Sequence, residues 1–303
     1  MDMVQYSANF QELVDLDPVL DEIFFQGYAQ FTPVLRPLIY SVRESNKAKE
    51  TALRVGSFGE PTEFDGQVDY DRADADYPIT YSHTHYTKGF KVARTMLEDL
   101  QYEGIFDRAA NLAQGFGRKQ MRDEASVFEN AFSTSYNGYD GKPLVSASHP
   151  RSETDSSNQS NLVTGSPALT SANLETAVTT LMGLTDDRGQ EINLTPTHLV
   201  VGLNNRKKAL ELTGSELTPD SANNATNVHA SMVTVVSRFI TGNKWFVLDA
   251  AAAQASLRWY NRLLPSFMAD DDMSTTLMRS YVGRMRYSFG WNDWRWVVGS
   301  NAS

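Results

Sequence analysis

Apolar residues in the stretch 95–132, TMLEDLQYEGIFDRAANLAQGFGRKQMRDEASVFENAF, recur mostly three or four apart: Met96, Leu100, Phe106, Ala110, Ala113, Met121, Ala125, Phe128 and Phe132. That spacing predicts one very long amphipathic helix. At 1.5 Å per residue it would be roughly 55 Å long. A compact chain of this length has a radius of gyration of about 19 Å, so the helix is expected to run the full width of the molecule. A flattened, elongated subunit suits such a helix better than a round one. Inside it, QGFG at 114–117 places two glycines where each costs about 1 kcal/mol. A bend or a close helix crossing is expected there.

Before this helix, the segment LDPVLDEIFFQGYAQF predicts a short amphipathic helix with Asp17 as N-cap and Pro18 at its first position. Its apolar residues Val19, Leu20, Ile23 and Phe24 need a partner, and Pro33 and Pro37 interrupt any regular structure beyond it. The stretch is an arm rather than a domain. Residues 50–92 alternate partially, as in YPITYSHTHYTKGFKV, and are rich in aromatic and β-branched residues. This is strand chemistry without enough apolar surface for a core, a polar two-stranded excursion that is marginal alone.

After the long helix, NGYDG predicts a turn, PLVSA a short strand, and the Ser/Asn-rich residues beyond a surface loop. A helix is expected from Ser171 or Asn173 to near Arg188-Gly189. INLTPTHLVVG predicts a buried strand and NNRKKALELTG a short helix stopped by Gly214. SMVTVVSRFI is the strongest strand of the chain, with GNKWFVLDA as its hairpin partner. This alternation over about 162–250 suggests an inserted α/β or α+β unit. Near the end, Val282 to Phe289 and Trp294 to Val298 are expected to pair as antiparallel strands joined at GWND.

Composition narrows the function. The chain has 303 residues and a net charge of -10, with a pI near 5.0. That argues against a dedicated nucleic-acid binder. With no Cys, disulfides, thiolate metal sites and Cys nucleophiles are excluded. The acidic N-terminus is not a signal peptide, and no apolar run reaches transmembrane length. No cofactor motif is present: no Walker A, no GxGxxG after a strand, no HExxH.

Individual candidates favour structure over chemistry. His83 and His85, two apart on a strand, face the same way and would need a third ligand to hold Zn or Fe; a solvated strand face is the simpler expectation. Asp69, Asp71, Asp74 and Asp76 lack EF-hand spacing, and Asp270, Asp271 and Asp272 are likewise solubilising charge or flank a subunit contact. His149, before Pro150 and near Asp140, Ser146 and Ser148, has no GxSxG elbow around it. A hydrogen bond to the loop backbone is expected instead. Arg258, Arg262, Arg279, Arg284 and Arg286 form the one basic concentration. They would pair with neighbouring carboxylates or touch packaged nucleic acid without sequence readout. No catalytic, metal or cofactor-binding residue is assigned.

The order of elements resembles the α+β fold of HK97-like major capsid proteins of tailed bacteriophages. The local sequence is similar to the Mu-type major head subunit family: DGKPLVSASHP at 140–150, LTSANLETAVTTLM at 169–182, NLTPTHLVVG at 193–202, the helix around Lys208 to Leu212, and RSYVGRMRYSFGWNDWRW at 279–296. Order and spacing over the last two thirds carry the resemblance.

The resemblance implies an N-terminal arm at 1–49 and an extended β-hairpin loop at 50–92 lying over a neighbouring subunit. It implies a peripheral domain with a spine helix at 93–161, an axial domain at 162–238, and returning peripheral strands at 239–303. It further implies a non-enzymatic shell subunit, assembling as pentamers and hexamers around double-stranded DNA in the virion and made in the host cytoplasm. Portal and cement proteins are further expected partners, and no membrane is. The chain has only a short acidic lead, and its start at Met1 predicts that scaffolding comes from a separate protein. Phe58, Phe64, Tyr70, Tyr77, Tyr81, Tyr86 and Phe90 are the expected aromatic anchors of the loop on its neighbour. The alternatives are an encapsulin-like compartment around cargo, a metal-dependent enzyme using His83 and His85, and a carbohydrate-binding surface protein.

Overall fold

A computed structural model describes residues 3–302, apart from 65, 67, 69, 71–74, 94, 97, 98, 100, 101, 153, 154, 218–225 and 273–277. Helix α1 (Met3–Ala29) runs through Pro18 and is followed by the short α2 (Arg36–Ile39). Strands β1 (Ser41–Glu44), β2 (Lys49–Val55), β3 (Ala75–Ser82) and β4 (Thr84–Ala93) precede the long helix α3 (Tyr102–Glu129). Then come the short strands β5 (His149–Pro150) and β6 (Asn158–Gln159), helix α4 (Ser171–Met182), β7 (His198–Val201) and α5 (Arg206–Gly214). The chain finishes with β8 (Val233–Val236), β9 (Asn243–Leu248), α6 (Ala250–Ser256), β10 (Leu257–Asp272), β11 (Met278–Trp291) and β12 (Val297–Ala302).

Two four-stranded sheets organise these elements. The first has the order β1-β10-β11-β4 and the second β12-β9-β7-β8, while β2 and β3 form a separate antiparallel pair. Alternation along β11 explains the first sheet. Tyr281, Gly283, Met285 and Tyr287 are buried on one face, and Ser280, Val282, Arg284 and Arg286 are half-buried on the other. Helix α3 lies across the buried face, and Gly283 permits it. A Cβ there would stand 2.7 Å from the Phe116 ring.

In the second sheet β7 pairs in parallel with β8 and antiparallel with β9. The connection from β7 to β8 runs through α5, because parallel neighbours need a crossover. The expected hairpin between GNKWFVLDA and SMVTVVSRFI is therefore replaced by pairing of β9 with β7 and β12. The expected pairing of Val282–Phe289 with Trp294–Val298 also fails. β11 pairs β10 and β4, whereas β12 pairs β9. β12 and β9, from 239–303, thus complete a sheet with β7 and β8, from 162–238. One continuous core joins both sheets, with Trp245, Trp259, Trp294 and Trp296 fully buried.

Other local expectations shift as well. Asp17 does not cap a helix; its carboxylate pairs with Arg279 and accepts from the Tyr281 hydroxyl at 3.0 Å. The long helix begins at Tyr102 and ends at Glu129, about 42 Å at 1.5 Å per residue. Ala113, Ala125 and Phe128 are buried on it as the spacing predicts, but Phe106, Ala110 and Met121 are only half-buried, and Leu100 lies outside the described residues. The same face buries Gln120, Asp123 and Glu124.

Those polar residues are satisfied by distant partners. Glu124 accepts the N–H groups of Val34, Leu35 and Arg36 at 3.0, 3.3 and 3.1 Å, tying α2 to α3. Burial nonetheless raises its carboxyl above the ordinary value of 4.5, against the lowering by those three donors. Gly117 gives the close crossing expected at QGFG, since a Cβ there would stand 2.5 Å from the Phe31 Cβ; Gly115 meets open space. PLVSA forms no strand, although Leu144 and Val145 are buried. Helix α4 ends at Met182, capped by Gly183, earlier than the expected Arg188-Gly189.

Candidate functional site

Among the described residues the segment between β2 and β3 stands out, because its large apolar side chains lie outside the core. β2 and β3 pair from Lys49↔Ser82 to Val55↔Ala75, so residues 56–74 leave and return at one place. The backbone N–H of Ser57 is held by the Asp187 carboxylate at 3.0 and 3.1 Å. The Gln190 amide donates to the Phe58 carbonyl and accepts from the Glu60 N–H, both at 3.1 Å. Beyond this root, Phe58, Phe64 and Tyr70 are 62%, 73% and 88% exposed. With Pro61, Val68 and Arg188 they line an open cleft of about 630 Å³. These three rings are thus large apolar side chains that the described residues leave open.

The other expected anchors lie elsewhere. Tyr81 is buried, its hydroxyl bonded to Asn292 and its ring against Tyr260 at 5.2 Å. Tyr86 packs on Tyr287 at 4.9 Å and Phe90 stacks on Tyr281 at 5.2 Å. These three rings are used within this chain because β3 and β4 lie against β10 and β11. The Tyr77 side chain lies outside the described residues, as do Asp69, Asp71 and Asp74 and the side chains of Asp76, Asp271 and Asp272. Asp270 pairs with Ser280 near the end of the β10–β11 ladder.

His83 and His85 do not form a pair of ligands. His83 is buried between two hydroxyls, Nε2 at 3.1 Å from Ser45 Oγ and Nδ1 at 2.9 Å from Ser288 Oγ, while His85 is exposed. The solvated strand face expected at 83 is thus replaced by a sealed site. Burial first, and the charge of Arg286 second, hold the His83 imidazole below its ordinary value of 6.5. Among the described residues no cluster of three or more His, Asp and Glu is arranged to hold a metal ion.

His149 is buried with its Nδ1 at 2.6 Å from Asp140 Oδ2, and it stacks on Trp294 at 4.1 Å and 10°. A carboxylate takes the place of the expected loop carbonyl or amide. The Ser146 hydroxyl accepts the Ser148 N–H instead, and among the described residues His149 Nε2 has no hydroxyl within reach. The dyad therefore fixes the 140–150 turn and lacks a nucleophile. Sequence patterning missed the polar clamp Gln120–Asp123–Glu124 altogether. No local signal separates those residues from a solvated helix face, because their partners lie dozens of residues away.

Two sheets sharing one core, one long helix and a hairpin with exposed aromatics make up the architecture. The mixed α+β architecture resembles that of HK97-like capsid proteins. The chain belongs to the phage capsid protein family, whose model matches residues 76–300: it is a capsid shell protein. Solved structures share the fold. That of Mycobacterium phage Patience superposes with a TM-score of 0.58 at 10% identity, over 95% of this chain and 88% of that one. The procapsid of bacteriophage JBD30 gives 0.52 at 16% identity, over 100% and 77%. The virus-like particle from Pyrococcus furiosus gives 0.53 at 12% identity, over 93% and 98%. No curated protein matches the sequence.

Proposed function

We propose that this chain is the major head subunit of a tailed phage, assembling as pentamers and hexamers into an icosahedral shell around double-stranded DNA. The match of a phage capsid family over residues 76–300 carries the proposal. In it α3 serves as the spine helix, 162–238 as the axial domain, and 93–161 with 239–303 as the peripheral domain. Residues 1–49 are the arm, with α1 packed on α3. A separate scaffolding protein, a portal and cement proteins complete the head, assembled in the host cytoplasm. The finer kinship is to Mu-type head subunits, carried by DGKPLVSASHP and RSYVGRMRYSFGWNDWRW in their order.

Assembly rests on many modest contacts summed by symmetry. The extended loop supplies one of them, with Phe58, Phe64 and Tyr70 as its anchors on a neighbour. Their exposure supports this role, and Tyr81, Tyr86 and Phe90 support the base from which the loop projects. Joining residues 56 and 75 by a short glycine turn should leave a folded subunit that forms no shells, seen by electron microscopy. Normal shells from that chain would remove the loop from the mechanism. An encapsulin-like compartment would share the fold, and nucleic acid inside purified particles distinguishes the two.

A further inference from the structure

Helix α3 leaves one face uncovered, and from Arg108 onward the charge exposed there is entirely positive. Gly104, Arg108, Asn111, Gly115, Arg118 and Arg122 are exposed. They recur four, three, four, three and four apart, which sets them in one line along the helix. Glu103 and Asp107, also exposed, stand at its N-terminal end, and no exposed acid of α3 follows Arg108. The opposite side is covered by the chain itself: Gly27 lies against Ala113, Gly283 lies against Phe116, and Asp123 takes the Tyr287 hydroxyl. Among the described residues none of the three arginines pairs with a carboxylate. Arg108 donates to the Lys91 carbonyl at 3.0 Å, and the Arg122 guanidinium lies 5.9 Å from the Phe239 ring. Arg238, the residue before Phe239, is exposed as well.

We propose that this line on α3 is a contact site for the phosphate backbone of duplex DNA held inside the shell. The inference rests on the reading of the chain as a shell around DNA, and it names the face that touches the cargo. Two observations favour phosphate over an acidic protein. Among the described residues no large apolar side chain is exposed on α3, so the face offers a protein none of the anchors on which interfaces depend. Its cations are all arginines, whose planar forks match phosphate oxygens. The glycines fit the same reading. A Cβ at Gly104 or Gly115 would meet nothing within 4 Å, so no packing in this chain offsets the roughly 1 kcal/mol that each costs the helix. Bare backbone between arginines lets a duplex approach closely. From Arg108 to Arg122 the line is about 21 Å long, alongside roughly a dozen phosphate charges of a duplex. With a net charge of -10, the subunit as a whole repels DNA. The contact is therefore local, weak and blind to sequence, as suits a genome that must leave again.

The test is a salt titration of the unassembled full chain with a short fluorescent duplex of mixed sequence, read by anisotropy. Three neutralised phosphates predict a slope of log affinity against log salt of about −3. A chain carrying Arg108→Gln, Arg118→Gln and Arg122→Gln should bind roughly ten-fold or more weakly at low salt and lose most of that slope. Its circular dichroism should match the natural chain. A chain with Lys at the same three positions keeps the charge and should keep the slope. Unchanged affinity and slope in the glutamine chain would overturn the proposal. So would equal binding of poly-L-glutamate by the natural chain, which would assign the face to an acidic protein. Electron microscopy of the glutamine chain separates this inference from the shell reading. It should form shells wherever the natural chain does. Folded glutamine subunits that form none would turn the face into a subunit contact and overturn the DNA assignment while leaving the shell role intact. Failure of the natural chain to form shells would instead count against that role.

Discussion

Tyr287 donates its hydroxyl proton to Asp123 across 2.7 Å, joining β11 to α3 where both are buried. Asp123 also takes the Lys119 ammonium at 2.6 Å. Burial, with the Asp123 charge second, holds the Tyr287 phenol well above its ordinary value, so it stays a donor at any working pH. Tyr287→Phe removes one hydrogen-bond donor from a buried carboxylate. It should lower the stability of the unassembled subunit by about 2 kcal/mol, read from denaturant midpoints. An unchanged midpoint would mean that the contact does not hold the helix to the sheet.

The two glycines of α3 should respond in opposite directions to the same substitution. Gly115→Ala meets open space and gains helix propensity, for about 1 kcal/mol of stabilisation. Gly117→Ala drives a Cβ into Phe31 and should cost about 1–3 kcal/mol. Thermal melts of the two variants against the natural chain check the contrast. Equal shifts would contradict the close crossing.

Glu129 links the end of α3 to the second sheet. It accepts the Thr241 N–H at 2.8 Å and hydroxyl at 2.6 Å, and it pairs with Lys244 at 3.0 Å. Burial raises its carboxyl, but the Thr241 and Lys244 bonds outweigh that and leave it below 4.5. A lowered folded value means that the carboxylate stabilises the fold above its unfolded pKa. That contribution is lost as pH falls through the folded value. Glu129→Gln should therefore cost about 1 kcal/mol at pH 7, with the gap to the natural chain closing as pH falls below 4.5. A gap that widens in acid would reverse the sign.

Much of the fold was legible because strand and helix periods differ. β7, α5 and the amphipathic stripe through Ala113, Ala125 and Phe128 follow from spacing alone. The strand–helix–strand run from β7 through α5 to β8 already contained the parallel crossover, but the strong apolar run before GNKWFVLDA suggested a hairpin instead. Gln120, Asp123 and Glu124 could not be placed inside. Their burial is compensated by Tyr28, Arg36, Tyr287 and the 34–36 amides, a pairing that only the folded chain assembles. Three of the seven proposed loop anchors belong to their own subunit for the same reason: alternation gives the face of a strand, not the sheet that covers it.

Electron microscopy of the full chain, purified alone and together with its scaffolding protein, tests self-assembly most directly. Closed icosahedral shells, or free pentamers and hexamers, are the expected result, with the 56–77 segment lying on an adjacent subunit. A monodisperse monomer under both conditions would contradict a shell-forming role.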